Sequence, residues 1–207
     1  DEVLDAAMRW TEIDPDPRTR AELLAVIERA RHDPLAMAEL HALMDHRLTF
    51  GTAGLRGEMG PGRNRINRLM ARQTAWGIGR TLLDERAVGE ADRQQTPQRG
   101  ADSDPPLILV GHDARHHSEE FALDIVAVLE ALGVRCTLVL GPNPTPLISW
   151  GLRRIEADAG IVVTASHNPA ADNGIKIFWG DGAQIVSPTD ELIAEAIRTV
   201  ADVDPSG

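Results

Sequence analysis

The 207-residue sequence holds one cysteine, one lysine and no apolar run longer than five residues, such as 125–129. A bilayer-spanning helix needs about 20 consecutive apolar residues, so no transmembrane segment is expected. With Cys136 alone, no disulfide can close within the chain, and a reducing cytoplasm is the expected setting. The opening Asp1-Glu2-Val3-Leu4-Asp5 lacks both the basic and the apolar stretch of a secretory signal. Basic charge is also scarce, the net charge being −11. Neutralising phosphates over a whole surface requires a basic face, so neither nucleic acid nor an anionic membrane is an expected partner.

One stretch runs against this balance. Residues 49–80 carry +5, and every other segment is acidic. A hydrophobic share of 43% with 26% charged residues is that of a globular chain. The length suits one domain and an addition, at roughly 100–200 residues per domain. The start at Asp1 and the loop-like end, Asp204-Pro205-Ser206-Gly207, give the expectation of a piece of a longer chain.

Asp16-Pro17 and Asp33-Pro34 each place an acidic N-cap before a proline at the first helical position, where its missing N–H costs nothing. Leu23, Leu24, Ile27 and Ala30, then Leu35, Ala38, Leu40 and Leu43, follow at helical spacing. They predict a helical arm over 17–46, within a segment 1–47, ahead of a domain at 48–207. A short strand is expected at 48–50, then a glycine-rich stretch to 62 and a helix over 69–86. Residues 87–106 have the composition of a surface loop. Strands are expected at 107–110, 134–139, 160–164 and 174–178, and helices at 117–132, 145–154 and 189–201. The alternation predicts an α/β three-layer sandwich with a mixed, largely parallel sheet.

Ile161-Val162-Val163 leads into Thr164-Ala165-Ser166-His167-Asn168-Pro169, and Asp172-Asn173-Gly174-Ile175-Lys176 follows. A buried strand ending in Ser-His-Asn-Pro delivers a hydroxyl to the carboxyl end of the sheet, where open α/β sheets bind ligands. The next strand returns a lysine nearby. The alternative is that Asn168-Pro169 and Asn173-Gly174 are turn residues only. That accounts for the turns but not for Ser, His and Lys together. Gly51, Gly54 and Gly57 lack the Gly-x-Gly-x-x-Gly spacing of a dinucleotide fingerprint, and no long helix follows at once. His112, His116 and His117 have no cysteine beside them and a spacing that suits tetrahedral zinc poorly, so exposed or capping histidines are expected. Cys136 reads as an inert core thiol.

The run 164–169 with Asn173-Gly174-Ile175-Lys176 resembles the phosphoserine loop of the α-D-phosphohexomutases, the phosphoglucomutase/phosphomannomutase family. So do Gly51-Thr52-Ala53-Gly54-Leu55-Arg56-Gly57 and Gly111-x-Asp113-x-Arg115, which resemble two further motifs of that family in the same order. Residues 48–57 and Trp179-Gly180-Asp181-Gly182-Ala183-Gln184-Ile185 are similar to its phosphoglucomutase/phosphopentomutase branch. The resemblance covers about residues 10–205 and only the first of the family's four domains. The family's metal loop, sugar-reading loop and C-terminal phosphate loop have no counterpart in these residues.

The resemblance implies an isomerase working as an intramolecular phosphotransferase between 1-phospho and 6-phospho (or 5-phospho) sugars. Ser166 would carry the transferable phosphate, with a bisphosphate intermediate and a sugar bisphosphate of the glucose 1,6-bisphosphate type as activator. Glucose, pentose or mannose phosphate is the implied substrate. The phosphate on Ser166 would also supply one ligand to Mg²⁺, the others lying on the remaining domains of the parent chain. Lys176 is the implied general base. An unperturbed lysine sits near pKa ~10.4, and a neighbouring guanidinium, that of Arg56, would lower it. Arginine cannot take this place because it stays protonated. His167 would act as acid or base, or orient the phosphate. Asn168, Thr164 and Arg115 are expected to bind the substrate or its phosphate, Asn168 also shaping the loop. Arg63, Arg65, Arg68 and Arg72, the source of the local positive charge, would steer anionic substrates or pair with acids on the absent domains. The competing reading is a non-catalytic phosphosugar-binding or regulatory module, or a fragment inactive by itself.

Overall fold

Asp16 and Asp33 cap their helices as the Asp-Pro spacing predicts. Each carboxylate accepts the N–H two residues on, from Arg18 and Leu35, at 2.9 Å. These caps open α2 (Pro17–Ala30) and α3 (Pro34–Met44). The computed structural model describes residues 2–93 and 104–205, and it begins with a helix not expected from the sequence, α1 (Glu2–Ile13). Val3, Ala7 and Trp10 recur at helical spacing and are buried along one face of it. No capping residue announces this helix; its packing against α2 and α3 holds it.

The expected strand at 48–50 does not form. Only a bridge between Gly51 and Gly54 precedes β1 (Leu55–Glu58), which forms where a partner strand is available. Next, α4 (Arg68–Arg93) runs seven residues beyond its predicted end, because Ala87, Glu90 and Ala91 favour helix enough to carry Gly89. Residues 94–103 of the expected loop lie outside the described residues. The remaining elements are β2 (Leu107–His112), α5 (Ser118–Ala131), β3 (Arg135–Leu138), α6 (Thr145–Arg154), β4 (Ala159–Val163), β5 (Asp172–Trp179) and α7 (Thr189–Thr199). No helix among the described residues is long and apolar enough to cross a membrane.

The five strands form one mixed sheet in the order β1-β5-β4-β2-β3. β4, β2 and β3 run parallel, whereas β5 is antiparallel to both β4 and β1. The reason is loop length: residues 164–171 are too few for the crossover of about a dozen residues that a parallel pair needs. On one face α6 sets Ile148 and Leu152 against Leu109, Val162 and Phe178. The other face carries α4, α5 and α7 and the main core, completing three layers.

The arm shares that core. Val3, Trp10, Leu23 and Leu40 belong to the same apolar cluster as Ile78, Ile125 and Ile161. Arg18 of the arm also reaches Glu120 of α5 at 2.7 Å while holding Asp16 at 2.9 Å. Burial works to raise the pKa of both carboxyls, but hydrogen bonds from Arg18, joined at Glu120 by His117, outweigh it and hold both below their ordinary range. The arginines of the positive stretch find partners inside the chain. Arg68 and Arg72 share Asp124 at 2.6 and 2.9 Å, Arg72 also meets Asp204 at 2.5 Å, and Arg65 faces Glu58 at 3.4 Å. Arg63 donates to the Met44 carbonyl. Each of these four arginines thus has a partner within the chain.

Two glycines let β1 lie close on β5. At Gly54, with φ +78°, a Cβ would stand 1.9 Å from the Ile175 carbonyl oxygen; at Gly174 it would stand 2.4 Å from that of Leu55. Both obstacles are backbone and cannot swing aside. Gly54→Ala is thus expected to destabilise by about 2 kcal/mol or more, a drop of about 4–8 °C in Tm for a chain of this size; a Tm within a degree of the unmodified protein would refute the close approach. Trp10→Ala is expected to cost about 3–5 kcal/mol and to lower the urea midpoint of the whole chain, read by near-UV and far-UV signals together. A separate early transition of the arm, with the main midpoint unmoved, would show that the arm stands apart from the core.

Candidate functional site

The five residues of β4 are all buried, and the chain leaves the sheet at Thr164, whose N–H is still held by the Gly174 carbonyl at 2.9 Å. The Thr164 side chain is buried too. Its hydroxyl donates to Asp113 Oδ2 at 2.6 Å and accepts the Ser166 N–H at 2.9 Å. Ser166 then turns outward. Its side chain is exposed and its backbone lies in the left-handed region at φ 58°, a conformation costing an L-residue other than glycine roughly 1–2 kcal/mol. The surroundings must therefore enforce it. Ser166 Oγ lies 3.5 Å from His167 Nδ1, at the outer edge of hydrogen bonding.

Beneath the loop lies Arg115. Its Nη1 donates to the carbonyls of Pro169 (2.6 Å) and Asp172 (3.0 Å), and its Nη2 to those of Ser166 (3.0 Å) and Asn168 (2.7 Å). Nε lies 3.3 Å from Asp113 Oδ2. The whole donor fork of this guanidinium is directed at the loop and at Asp113. Thr164 and Arg115, both expected at the phosphate, thus have their polar groups engaged inside the loop. Asn168 is engaged on both sides, its Nδ2 donating to Asp172 Oδ2 at 2.8 Å and its Oδ1 accepting from Arg56 Nη1 at 3.3 Å.

Register places the two remaining cations. Arg56 lies opposite Gly174 and Lys176 opposite Val162. Alternation along a strand therefore puts Arg56, Gly174 and Lys176 on one sheet face. Arg56 and Lys176 are diagonal neighbours across the β1–β5 pair, positions separated by about 7–8 Å, and Gly174, directly opposite Arg56, adds no side chain to that face. Lys176 is half-buried, and among the described residues its ammonium has no hydrogen bond or ion pair. The structure thus gathers Ser166, His167, Asn168, Arg56, Thr164 and Arg115 around one loop. Lys176 is on the adjoining strand without touching Ser166.

Asn173 and Gly174 are not turn residues but part of β5. Asn173 is fully buried, with its Nδ2 donating to the His116 carbonyl and Ser118 Oγ at 3.0 Å each and its Oδ1 accepting the Gly174 N–H at 2.8 Å. Asp113, Ser118 and Asn173 form the loop's foundation and were given no role from the sequence. The available signal was an acid at the end of a buried strand, two residues before an arginine.

The histidines take separate places. His112 is buried with Nδ1 2.9 Å from the Asp113 carbonyl, and His117, left-handed at φ 62°, precedes α5 with Nδ1 2.9 Å from Glu120. Among the described residues no three His, Cys, Asp or Glu side chains converge as a metal site. Asp113 and Asp172, the carboxylates of the loop, are both held by hydrogen bonds, so these residues do not by themselves fit Mg²⁺. Cys136 is half-buried, and burial, then Glu130, push its thiol up to about 12, which leaves it unreactive at neutral pH. An apolar groove of about 610 Å³ between α4 and α7, lined by Trp76, Val88 and Leu192 among others, includes none of the loop residues.

Residues 47–204 match the family described as phosphoglucomutase/phosphomannomutase, alpha/beta/alpha domain I. The chain is 34% identical over 208 residues to a phosphoribomutase of Saccharomyces cerevisiae, covering 99% of this chain and 30% of that one. It is 38% identical over 166 residues to a human phosphopentomutase and 36% over 155 to a phosphoglucomutase of Staphylococcus haemolyticus, covering 77% and 75% of this chain and 25% of each relative. Among solved structures, a candidate phosphomannomutase of Thermus thermophilus superposes with a TM-score of 0.60 at 28% identity, over 73% of this chain and 30% of that one. The chain spans 30% or less of the length of each of these proteins. By the family match over residues 47–204, the three-layer fold and the relatives above, the chain belongs to the phosphoglucomutase/phosphomannomutase family, of which it carries domain I.

Proposed function

We propose that this chain is the phosphoserine-bearing part of a phosphosugar mutase and that Ser166 carries the phosphoryl group. The observation behind this reading is the exposed Ser166 hydroxyl, presented in a left-handed turn at the carboxyl end of β4. A serine ester divides the migration of a phosphate into two in-line transfers. In the first, the free hydroxyl of a phosphosugar forms a bond to phosphorus as the Ser166 O–P bond breaks. The sugar hydroxyl's proton passes to Lys176, and the departing Ser166 oxygen takes up a proton from His167 beside it. The bisphosphate turns over in the site and returns its other phosphate to Ser166.

Lys176, the proton acceptor of this step, is the one cationic side chain of 21 that can exchange its proton, the other 20 being arginine. Arg56 remains charged and faces the anionic group, while His167, beside Ser166 Oγ, orients the phosphoryl group or exchanges protons with it. The names of the relatives favour pentose and glucose phosphates as substrates. Mg²⁺ and a sugar bisphosphate activator belong to this reading. The carboxylates for the metal and the contacts for the second phosphate are assigned to regions that the relatives have beyond the length of this chain.

The full-length protein, incubated with glucose 1,6-bisphosphate and Mg²⁺, is expected to gain one phosphoryl group by intact mass, and Ser166→Ala none. Lys176→Arg puts a permanently protonated guanidinium where this reading needs a base and is expected to lower kcat about 10²–10⁴-fold. Undiminished labelling of Ser166→Ala sinks the assignment. Phosphosugar binding by the unmodified protein with no gain in mass favours the non-catalytic module instead.

A further inference from the structure

We propose that Arg115 is a positioning residue for the phosphoryl-bearing serine, clamping the loop from beneath instead of binding phosphate; its functional half rests on the reading of Ser166 given above. Four loop carbonyls, those of Ser166, Asn168, Pro169 and Asp172, converge on its two terminal nitrogens at 2.6–3.0 Å. Such convergence is unfavourable unless a cation sits at its focus, because carbonyl oxygens repel one another. The guanidinium also fixes what the carbonyls leave behind. In a trans peptide the C=O and the following N–H point in opposite directions. With the Ser166 and Pro169 carbonyls turned down onto Arg115, the N–H groups of His167 and Ala170 are turned away from it. Neither N–H meets an acceptor among the described residues, so both are free to donate to an anion on the exposed side.

The clamp is itself held. Asp113 Oδ2 faces Nε of Arg115, and Asp113 Oδ1 accepts the Arg115 N–H at 3.0 Å. Thr164, which takes the Ser166 N–H, donates to the same carboxylate. Ser166 is therefore gripped at its N–H through Thr164 and at its C=O through Arg115, with both grips meeting at Asp113. A residue gripped at both ends can be kept in a left-handed conformation that its own preference opposes. Lysine cannot replace this arrangement. Its ammonium is a point charge with three donors, unable to span four carbonyls in the plane of a fork.

Two measurements test this, the first without any substitution. In the unmodified chain, NMR of the Arg115 guanidinium should show separate, slowly exchanging Nη–H signals that do not move when inorganic phosphate is added. A single averaged signal, or one that shifts on adding phosphate, would overturn the clamp. The second compares Arg115→Lys with Arg115→Gln. Both are expected to raise hydrogen exchange at the Asn168 and Asp172 amides at least about tenfold, with the β2 and β4 amides unchanged. In the full-length protein both are expected to lower kcat about 100-fold, the scale of a misplacement near 1 Å, at unchanged KM. Recovery of kcat and exchange protection by Arg115→Lys, or a raised KM at unchanged kcat, would mark Arg115 as a phosphate ligand and refute the proposal. Absence of label on unmodified Ser166 would refute the serine reading and the functional half with it, and the guanidinium spectrum would still decide whether the clamp exists.

Discussion

Both oxygens of Asp113 face two donors each. Oδ1 takes the Arg115 N–H and the Ser118 hydroxyl, while Oδ2 takes the Thr164 hydroxyl and lies against Arg115 Nε. An ionised carboxylate offers about four acceptor positions, so this one is fully matched, and the desolvation of a charge at the rim of the core is offset by partners on every side. What those partners are decides the rest. Ser118 opens α5, Thr164 follows β4, Arg115 underlies the serine loop, and the Asp113 N–H itself bonds the Val163 carbonyl at 3.0 Å. Through Ser118 the network reaches Asn173 and hence β5. One side chain thus joins the ends of β2 and β4, the start of α5 and the return strand, the elements that must agree for Ser166 to face outward.

The sheet turns that local anchor into a wider site. A short β4–β5 loop forces antiparallel pairing, which sends Lys176 back along β4 instead of across the sheet. β1 then adds to the far side of β5, close enough that Gly54 and Gly174 admit no side chain. That closeness brings Arg56 within reach of Asn168. The helices behind the sheet hold this edge in place, and the arm contributes Val3, Trp10 and Leu23 to the same core. The arm therefore bears on the site through packing.

Much of this could be read from the residues in order. The Asp-Pro caps set the starts of α2 and α3, because capping is a contact between neighbours in sequence. The apolar strands from Leu107 onward lay between turn signals, and the serine loop and Lys176 stood in a recognisable motif. What the residues in order leave open depends on distant partners. The strand expected at 48–50 does not form, and pairing with β5 selects 55–58 instead. α1 lacks a cap and is stabilised by helices later in the chain. Asn173-Gly174 has the chemistry of a turn, and of the two readings open to it burial against Ser118 and the Leu55 carbonyl selects strand, so that β5 begins at Asp172, ahead of the expected start at 174. Arg115 is expected at the phosphate from the family resemblance, and the order of residues does not reveal that four carbonyls already surround it.

The abundance of arginine over lysine acquires physical meaning position by position. Arg115 spans four carbonyls, Arg68 grips both oxygens of Asp124 through Nε and Nη2, and Arg72 bridges Asp124 and Asp204. Each of these uses needs several donors in fixed directions and a charge that persists on burial, which a guanidinium supplies and an ammonium does not. Lys176 occupies the opposite kind of position. It has no carboxylate to grip among the described residues, and it sits diagonally across the strands from Arg56. There a permanent charge is already supplied, and a second guanidinium would add charge without any capacity to take up a proton. The two cations are thus complementary: where structure demands a fixed fork the chain uses arginine, and where the chemistry proposed for Ser166 demands a proton acceptor it uses its single lysine.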